Sequence, residues 1–210
     1  MTMANSILNS DDSRRLALNE FDSVSGLLGR AFVDYNLMVY ACANERRRLR
    51  ATTILYSGMT WDCLVRGEVY TTSDGAGVAA WLAPGTPIST FFQQARAGLL
   101  RLPMAFGLRG FMKLLAYDEV GRRLHHQYAP EPHWYLAVIA VDPAKQGQGL
   151  GSRLMSPILA RADDSGVSCW LDTHQEMNVR LYERHGFEIV ERADVPGHPL
   201  PVYGMLRRPR

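Results

Sequence analysis

The sequence predicts a mixed α/β fold, and three local patterns carry that prediction. Residues 68–72 and 77–83 are strand-like and are joined by Ser73-Asp74-Gly75, which is typical of a β-hairpin. Residues 134–141 form a nearly continuous apolar run, which indicates a central strand buried on both faces. A glycine-rich turn and then apolar residues at helical spacing follow that strand, so strand, turn and helix succeed one another there.

Composition limits the classes of function that the chain can have. Its 210 residues suffice for one domain with a full core, and we expect a disordered leader at 1–12 and a single domain at 13–210. The net charge of +2 does not indicate binding to nucleic acid. No apolar run approaches the roughly 18 residues of a membrane span, and no signal peptide is visible. We therefore expect a cytoplasmic protein.

Cysteines and histidines do not predict a metal site. Cys42, Cys63 and Cys169 are widely spaced and form no metal or redox motif, so we expect three reduced, buried thiols. The adjacent His125 and His126 point in different directions on any regular element, and further ligands at compatible spacing are missing. These histidines, with His133, are interpreted as loop or helix-end residues.

The first half of the domain predicts a strand and two helices before the hairpin. Residues 14–18 alternate weakly as a strand would, and Asn19 is expected to cap a helix that buries Val24, Leu28 and Phe32. Residues 44–66 form the next predicted helix. Its basic run at residues 46–48 is interpreted as a solvated face rather than a phosphate contact.

Residues 86–123 are rich in Phe, Leu and Met and are interpreted as two or three helices, broken by Pro103 and by the glycines at 107 and 110. Packing on the sheet explains this composition. A membrane-surface helix is a second interpretation, because Arg and Lys punctuate the segment.

The glycine-rich turn predicts a binding site for a phosphate group. Gln146-Gly147-Gln148-Gly149-Leu150-Gly151-Ser152 precedes a helix, whose first N–H groups lack internal partners and carry partial positive charge. A Rossmann loop is excluded because its third glycine would fall at Ser152 or Leu154, and a P-loop is excluded because no lysine follows Gly151. The spacing fits Q/R-x-x-G-x-G/A.

The helix after the turn is expected to contain Pro157 and to end at Ser165-Gly166, and strands are expected at 168–172, 188–192 and 202–206.

A second motif stands downstream: Asn178 and Tyr182 precede Gly186-Phe187 in the pattern N-x-x-x-Y-x-x-x-G-F. Together the two motifs resemble the GNAT (Gcn5-related N-acetyltransferase) family over residues 134–192. Among its members the chain is most similar to puromycin N-acetyltransferase-like enzymes, through Glu131-Pro132, Trp134-Tyr135-Leu136-Ala137 and Pro157. The resemblance implies a mostly antiparallel central sheet flanked by helices, with a helical insertion at 86–127, between the third and fourth strands, that covers the acceptor site.

The resemblance also implies a reaction and its residues. Acetyl-CoA would be the cosubstrate, and a primary amine of a small molecule, such as an antibiotic or toxic metabolite, would be the acceptor. The cofactor-binding residues would be Ile139, Ala140 and Val141 on the strand, Asn178, and the loop residues Gln146, Gly147, Gln148, Gly149, Leu150, Gly151 and Ser152. Tyr182 would be the catalytic acid, which protonates the departing thiolate.

Several questions stay open at the level of sequence. The candidates for the general base are Asp172, His174, Glu176, Glu191 and His198, acting directly or through water. A protein or peptide N-acetyltransferase and a non-catalytic acyl-CoA-binding sensor are the alternative functions. The acyl-chain length and a homodimeric state are not readable from the residues.

Overall fold

The computed structural model describes residues 13–87, 101–130, 132–197 and 199–210. The predicted leader and residues 88–100 of the predicted insertion lie outside the described residues. The helices are α1 Phe21–Phe32, α2 Asn36–Ala41, α3 Glu45–Arg66, α4 Leu102–Tyr128, α5 Leu150–Ser165 and α6 Glu176–Arg184. The strands are β1 Ser13–Arg15, β2 Gly67–Thr72, β3 Gly77–Leu82, β4 His133–Val141, β5 Ser168–Thr173, β6 Glu188–Asp194 and β7 Pro201–Arg207.

The seven strands form one mixed sheet in the order β1-β2-β3-β4-β5-β7-β6. Only the β4–β5 pair is parallel among the described strands, because α5 carries the chain across between them. The predicted hairpin of β2 and β3 and the two final strands are confirmed as antiparallel pairs. The mostly antiparallel sheet with flanking helices is therefore confirmed, and α4 lies between β3 and β4 as an insertion.

Helices cover both faces of the sheet and bury a separate apolar core on each. On one face α1, α2, α3 and α4 enclose a core that includes Leu28, Met38 and Leu124. On the other face α5 and α6 enclose Leu154, Ile158 and Phe187. The three predicted thiols are free and buried, and burial raises the pKa of Cys169 to about 12, so that thiol stays protonated at neutral pH.

A β-bulge in β4 corrects the regular alternation that the sequence suggested. Ala80 of β3 pairs with Val138, whereas the next residue, Trp81, pairs with Leu136, so Ala137 is the extra residue. As a result Leu136 packs in the core beneath α5, but Val138 packs in the core beneath α1 and α3. A strict period of two would have put both on one face.

Two expectations about the first helices were wrong. Asn19 does not cap α1, because a short 3-10 turn, Leu18–Glu20, precedes the helix and the Glu20 carboxylate accepts the N–H of Ala17 at 3.1 Å. The basic run is not wholly solvated either. Arg48 is only 7% exposed and donates to the carbonyls of Val33, Cys42 and Ala43. It joins α3 to the segments around α2.

The described part of the insertion, α4, consists of two helical pieces that meet at a non-helical residue, Gly107, so the predicted break at that glycine is confirmed. Pro103 stands in the first turn of α4, where its missing N–H costs nothing, and the kink falls at Gly107, whose φ is 74°. His125 and His126 lie in the last turn, as helix-end residues were expected to. None of the described helices combines the length and the apolar character needed to cross a bilayer.

Candidate active site

The glycine-rich turn has the backbone conformation that an anion cradle requires. Gly147 and Gly149 have φ values of 78° and 77°, which L-residues with a Cβ rarely adopt. Gly149 is the N-cap of α5, and no side chain caps the helix there. The first N–H groups of α5 are therefore available to an external acceptor, and the helix dipole adds partial positive charge at the same point.

Side chains around this turn hold its shape and add cations. Gln146 donates its amide to the carbonyl of Val141 at 3.2 Å, which ties the turn back to β4. Ser152 and His185 share a hydrogen bond of 2.8 Å between the hydroxyl and Nε2, which fixes the start of α5 to the end of α6. Arg30, Lys145 and Arg184 line the same space, but Asp142 and Asp74 already pair with Arg30 and Lys145, so the uncapped N–H groups of α5 contribute most to the fit for a phosphate or pyrophosphate.

A groove of about 650 Å³, here called the loop groove, runs from the glycine turn along β4 to α6. Every predicted cofactor-binding residue except Gln148 lines it, and Tyr182 lines it as well. Gln148 is exposed and contributes its carbonyl to a hydrogen bond from Arg153 at 3.3 Å. The structure therefore brings the two sequence motifs together on one surface.

The groove is open toward β4 because β4 and β5 diverge. Their parallel pairing covers only three residues on each strand, from His133 opposite Ser168 to Tyr135 opposite Trp170. Beyond that point the described residues of β4, including Ile139–Val141, have no ladder partner on the β5 side. Free N–H and C=O groups on a strand edge can pair with an extended amide-containing ligand as an added strand would.

A second cavity of about 180 Å³, here called the inner cavity, lies on the opposite side of the divergence. Its walls come from α3, α4, β4, β5 and the segment between α1 and α2. Six aromatic side chains line these walls: Phe32, Tyr35, Tyr56, Tyr117, Tyr135 and Tyr182. Phe32, Tyr35, Ile139, Asn178 and Tyr182 line both spaces, so the loop groove and the inner cavity meet at these residues.

Tyr182 stands at this junction and is only 5% exposed. Its ring packs edge-on against Phe187, with 6.0 Å between the ring centroids, so the Gly186-Phe187 end of the motif fixes its position. Among the described residues its hydroxyl has no hydrogen-bond partner. Burial raises the pKa of Tyr182, and the hydroxyl therefore stays protonated at any physiological pH.

Asn178 contacts a residue that sequence reasoning missed. Its side-chain amide donates to the hydroxyl of Tyr35 at 3.1 Å, and that hydroxyl also lies 3.4 Å from the Thr173 hydroxyl. Asn178 thus joins α6 to the N-terminal helices across the divergence of the strands. Tyr35 belongs to no motif, and no signal in the local sequence distinguishes it from a packing tyrosine.

The structure separates the five candidates for the general base. Asp172 lines the inner cavity and accepts a hydrogen bond from the Tyr135 hydroxyl at 3.0 Å. His174 also lines the cavity, but its Nε2 accepts the backbone N–H of Leu37 at 3.3 Å. Glu176 and Glu191 accept bonds from Tyr203 and Tyr128 and line neither space. His198 lies outside the described residues.

Asp172 has the electrostatic setting of a functional carboxylate. Burial raises its pKa to about 6, Tyr135 opposes that rise by hydrogen bonding to the charged form, and the nearby Asp118 adds to the rise by repulsion. A carboxylate with a pKa near neutrality can accept and return a proton under physiological conditions.

Two further carboxylates on the cavity wall already have cationic partners. Asp118 pairs with Arg122 at 3.0 Å, and Asp62 pairs with Arg66, each within one helix. On the same wall, His125 shares a 2.7 Å contact between its Nε2 and that of His133, and burial lowers the pKa of His125 to about 4. His125 is therefore neutral at physiological pH. No group of three potential metal ligands occurs among the described residues.

Comparison with known proteins agrees with this architecture. Residues 105–187 match the model of the Acetyltransferase (GNAT) family. The chain is 26% identical to an uncharacterised N-acetyltransferase of Schizosaccharomyces pombe, over 94% of this chain and 83% of that protein. Both comparisons support a GNAT-type acetyltransferase domain in this chain, and the protein is an acyltransferase. Enzymes of this family take the acetyl group from acetyl-CoA and pass it to small molecules or peptides.

Solved structures show the same fold at lower sequence identity. A histone acetyltransferase HPA2 and related acetyltransferase from Corynebacterium glutamicum is 21% identical, with a TM-score of 0.67 over 95% of this chain and 96% of that one. Arylalkylamine N-acetyltransferase 2 from Aedes aegypti is 17% identical, with a TM-score of 0.64 over 94% of this chain and 98% of that one. These likenesses concern the fold alone, and they cover nearly the whole chain.

Proposed function

We propose that the protein transfers an acetyl group from acetyl-CoA to the primary amine of a small molecule. One observation carries the proposal: the loop groove and the inner cavity are separate spaces that meet at Tyr182 and Asn178. A donor lying in the groove and an acceptor lying in the cavity would bring their reacting atoms together at that junction.

The residues of the loop groove fit acetyl-CoA. Residues 146–152 would hold the pyrophosphate through the uncapped N–H groups of α5, with Arg184 on the wall of the groove adding positive charge. Ile139, Ala140 and Val141 would pair with the amides of the pantetheine arm, because this part of β4 has no ladder partner on the β5 side. An N–H of the same strand edge would also bind the negative charge that develops on the acetyl oxygen.

In the transfer step the amine nitrogen, as the free base, bonds to the carbonyl carbon while the carbon–sulfur bond breaks. The nitrogen loses one proton, and the sulfur takes up the electron pair and one proton. Tyr182 would give its proton to the sulfur and recover one from the nitrogen, so it is unchanged at the end. Asn178 would either bind the pantetheine arm of the cosubstrate or fix the position of α6 through its hydrogen bond to Tyr35.

The raised pKa of Tyr182 does not exclude this role. With ordinary values of about 10 for tyrosine and about 8.5 for a thiol, proton transfer to a thiolate is uphill by about 2 kcal/mol. Burial raises the pKa of a thiol as well, to about 12 for Cys169 in the core of this protein. A thiolate released in the same apolar surroundings would be a stronger base than in water, so the two effects offset one another.

The shape of the acceptor site favours a small molecule over a peptide. The described part of the predicted insertion, α4, supplies Leu114, Tyr117 and Gly121 to the wall of the inner cavity. A peptide acceptor would need an open groove, whereas this space is closed on that side by a helix. Antibiotic amines such as puromycin belong among the acceptors to be tested, since the subfamily resemblance points to them.

The test is thiol release from acetyl-CoA with a panel of amines that includes puromycin and short peptides. Tyr182→Phe should keep CoA binding and lose turnover by about 100- to 10,000-fold, the range for loss of a general acid. Tyr70→Phe is the matched control, because Tyr70 donates to Glu68 and lines neither space. Turnover of peptides alone would identify a peptide acetyltransferase, and tight CoA binding without thiol release would identify a sensor. Normal turnover by Tyr182→Phe would remove its role as the acid.

A further inference from the structure

Asp172 is a half-buried carboxylate on the wall of the inner cavity. Tyr135 is its side-chain hydrogen-bond partner, and in the described part of the chain no arginine, lysine or histidine forms an ion pair with it. Helix α4 passes so close that a Cβ built on Gly121 would lie 3.5 Å from Oδ2. An ionised carboxylate in such a place destabilises the protein unless a positive charge arrives from outside.

The rest of the inner cavity is suited to an apolar or aromatic body. Its walls combine tyrosine rings with Leu55, Met59 and Leu114. A cavity of about 150 Å³ in an apolar protein core holds a benzene molecule, so a space of about 180 Å³ is of the right size for one ring. The Tyr182 hydroxyl, without a partner among the described residues, borders this space on the side of the loop groove.

Building on the proposed acetyl transfer, we propose that the acceptor is a compact primary amine with one positive charge and an apolar or aromatic body. We further propose that Asp172 binds its ammonium group and accepts its proton. Asp172 is thus assigned as both the specificity-determining residue and the proton acceptor of the reaction.

The charge balance of the cavity restricts the acceptor to one positive charge. Asp62 and Asp118 also face the cavity, but Arg66 and Arg122 neutralise them. A diamine would bring a second charge for which the described residues of the cavity wall offer no further unpaired carboxylate. An unpaired charge in a low-dielectric site is strongly unfavourable, so diamines should be poor acceptors.

Proton transfer to Asp172 makes the amine nucleophilic. The ammonium gives one proton to the carboxylate, which leaves a neutral amine with a free electron pair and a neutral carboxylic acid. After the amide has formed, Asp172 returns the proton to water through the cavity. Its pKa of about 6 supports this cycle, because the group is ionised before substrate binds at neutral pH.

Several titratable groups surround Asp172, and they define what a pH profile will report. Burial is the largest effect on its pKa, followed by the Tyr135 hydroxyl and then Asp118. Arg122 balances Asp118, and His125 is neutral. The other groups facing the cavity are Tyr35, Tyr56, Tyr117, Tyr182, Asp62 and His174. Burial keeps these tyrosines protonated but also raises the pKa of Asp118, so an acid limb near pH 6 belongs to Asp172 if Asp172→Asn abolishes it and neither Asp118→Asn nor His174→Gln does.

A panel of three amines tests the charge requirement on the full-length protein. 2-Phenylethylamine carries one charge at neutral pH, its isomer 4-ethylaniline is neutral, and putrescine carries two charges. We expect kcat/KM for 2-phenylethylamine to exceed that for putrescine by on the order of 100-fold, since one charge of putrescine would be left without a partner. A preference for putrescine would overturn the proposal.

Asp172→Asn tests the residue itself. Asn keeps an acceptor for the Tyr135 hydroxyl but removes the charge, so kcat/KM for 2-phenylethylamine should fall by about 100- to 10,000-fold and the acid limb should disappear. The loss for 4-ethylaniline should be much smaller, because a neutral amine needs neither a counter-ion nor a proton acceptor before attack. A purely structural role of Asp172 would lower both activities equally. Asp164→Asn, at an exposed site of α5 that lines neither cavity, is the matched control.

Gly121→Ala is an independent test, because this variant keeps the carboxylate of Asp172. The added methyl group would lie 3.5 Å from Oδ2 and exclude water from it, so the acid limb should move to higher pH. An unmoved limb, or Asp172→Asn turnover within tenfold of the wild type, would refute the assignment while leaving acetyl transfer intact. Tight CoA binding without thiol release for any amine would instead refute the proposed function.

Discussion

Replacing Asp172 by Asn should make the protein more stable while it impairs the reaction. In the folded protein the pKa of Asp172 rises from its ordinary value of 3.8 to about 6, because burial disfavours the charged form. Each pH unit of such a rise corresponds to about 1.4 kcal/mol. Ionised Asp172 therefore costs the folded state up to about 3 kcal/mol, and the neutral amide, which still accepts from Tyr135, removes that cost.

The pH dependence of this gain has a definite sign. Below pH 4 the carboxyl group is protonated in both the folded and the unfolded protein, so its raised pKa costs the folded state no stability. As the pH rises through 6 the folded carboxyl group becomes ionised, and that stability is lost. The gain from Asp172→Asn should thus be near zero at pH 4 and reach its full value by pH 7. For a chain of 210 residues, about 3 kcal/mol corresponds to a rise in Tm of roughly 6–12 °C.

Urea unfolding at pH 4.5 and pH 7.5 measures the effect directly, with Asp164→Asn as the control for loss of an exposed carboxylate. An equal or lower stability of Asp172→Asn at pH 7.5 would refute the reasoning, because it would mean that the folded protein already compensates the charge. The cavity would then need no external cation. The stability measurement is therefore a test of the acceptor class that needs no substrate.

Two further predictions concern the loop groove and the N-terminal helices. Gly149→Ala should cost about 1–2 kcal/mol of stability and weaken CoA binding at least about tenfold in titration calorimetry, because a Cβ disfavours a φ of 77°. Gly166→Ala is the control, because Gly166 has a φ of 66° at the far end of α5. This variant should lose stability but bind CoA normally. Arg48→Met should cost about 3 kcal/mol in chemical denaturation, because three backbone carbonyls lose their donor; an unchanged midpoint would show that water replaces the guanidinium.

The parts of the fold that were predictable depend on neighbours in the chain. The hairpin turn at residues 73–75, the strand before the glycine turn and the glycine at the end of α5 each follow from a few adjacent residues. The glycine turn was readable for the same reason, since positive φ is a property of single residues. Arg48 could not be distinguished from Arg46 and Arg47, because its partners belong to segments outside its own helix.

The acceptor side of the site was hidden because it is assembled from distant segments. Tyr35, Asp118 and Asp172 stand on three different segments, and no pair of them has a spacing that local periodicity could interpret. The sequence placed Asp172 among five candidates for the base, and only the cavity sets it apart. Its raised pKa arises from enclosure by α4, a helix whose path over the sheet the residue pattern does not specify.

The bulge at Ala137 explains how one strand serves both spaces. Before the bulge Leu136 faces the core beneath α5, and after it Ile139 and Val141 pack against that same core while Val138 faces the other side. Leu136, Ala137, Val138 and Ile139 line the inner cavity, whereas Ile139, Ala140 and Val141 line the loop groove. A regular strand would keep its unpaired edge in one orientation, but the extra residue increases the local twist where β5 turns away. The divergence that opens the sheet between Tyr182 and Tyr35 is thus built into β4, so the geometry of the junction depends on Ala137 as much as on the residues that would react there.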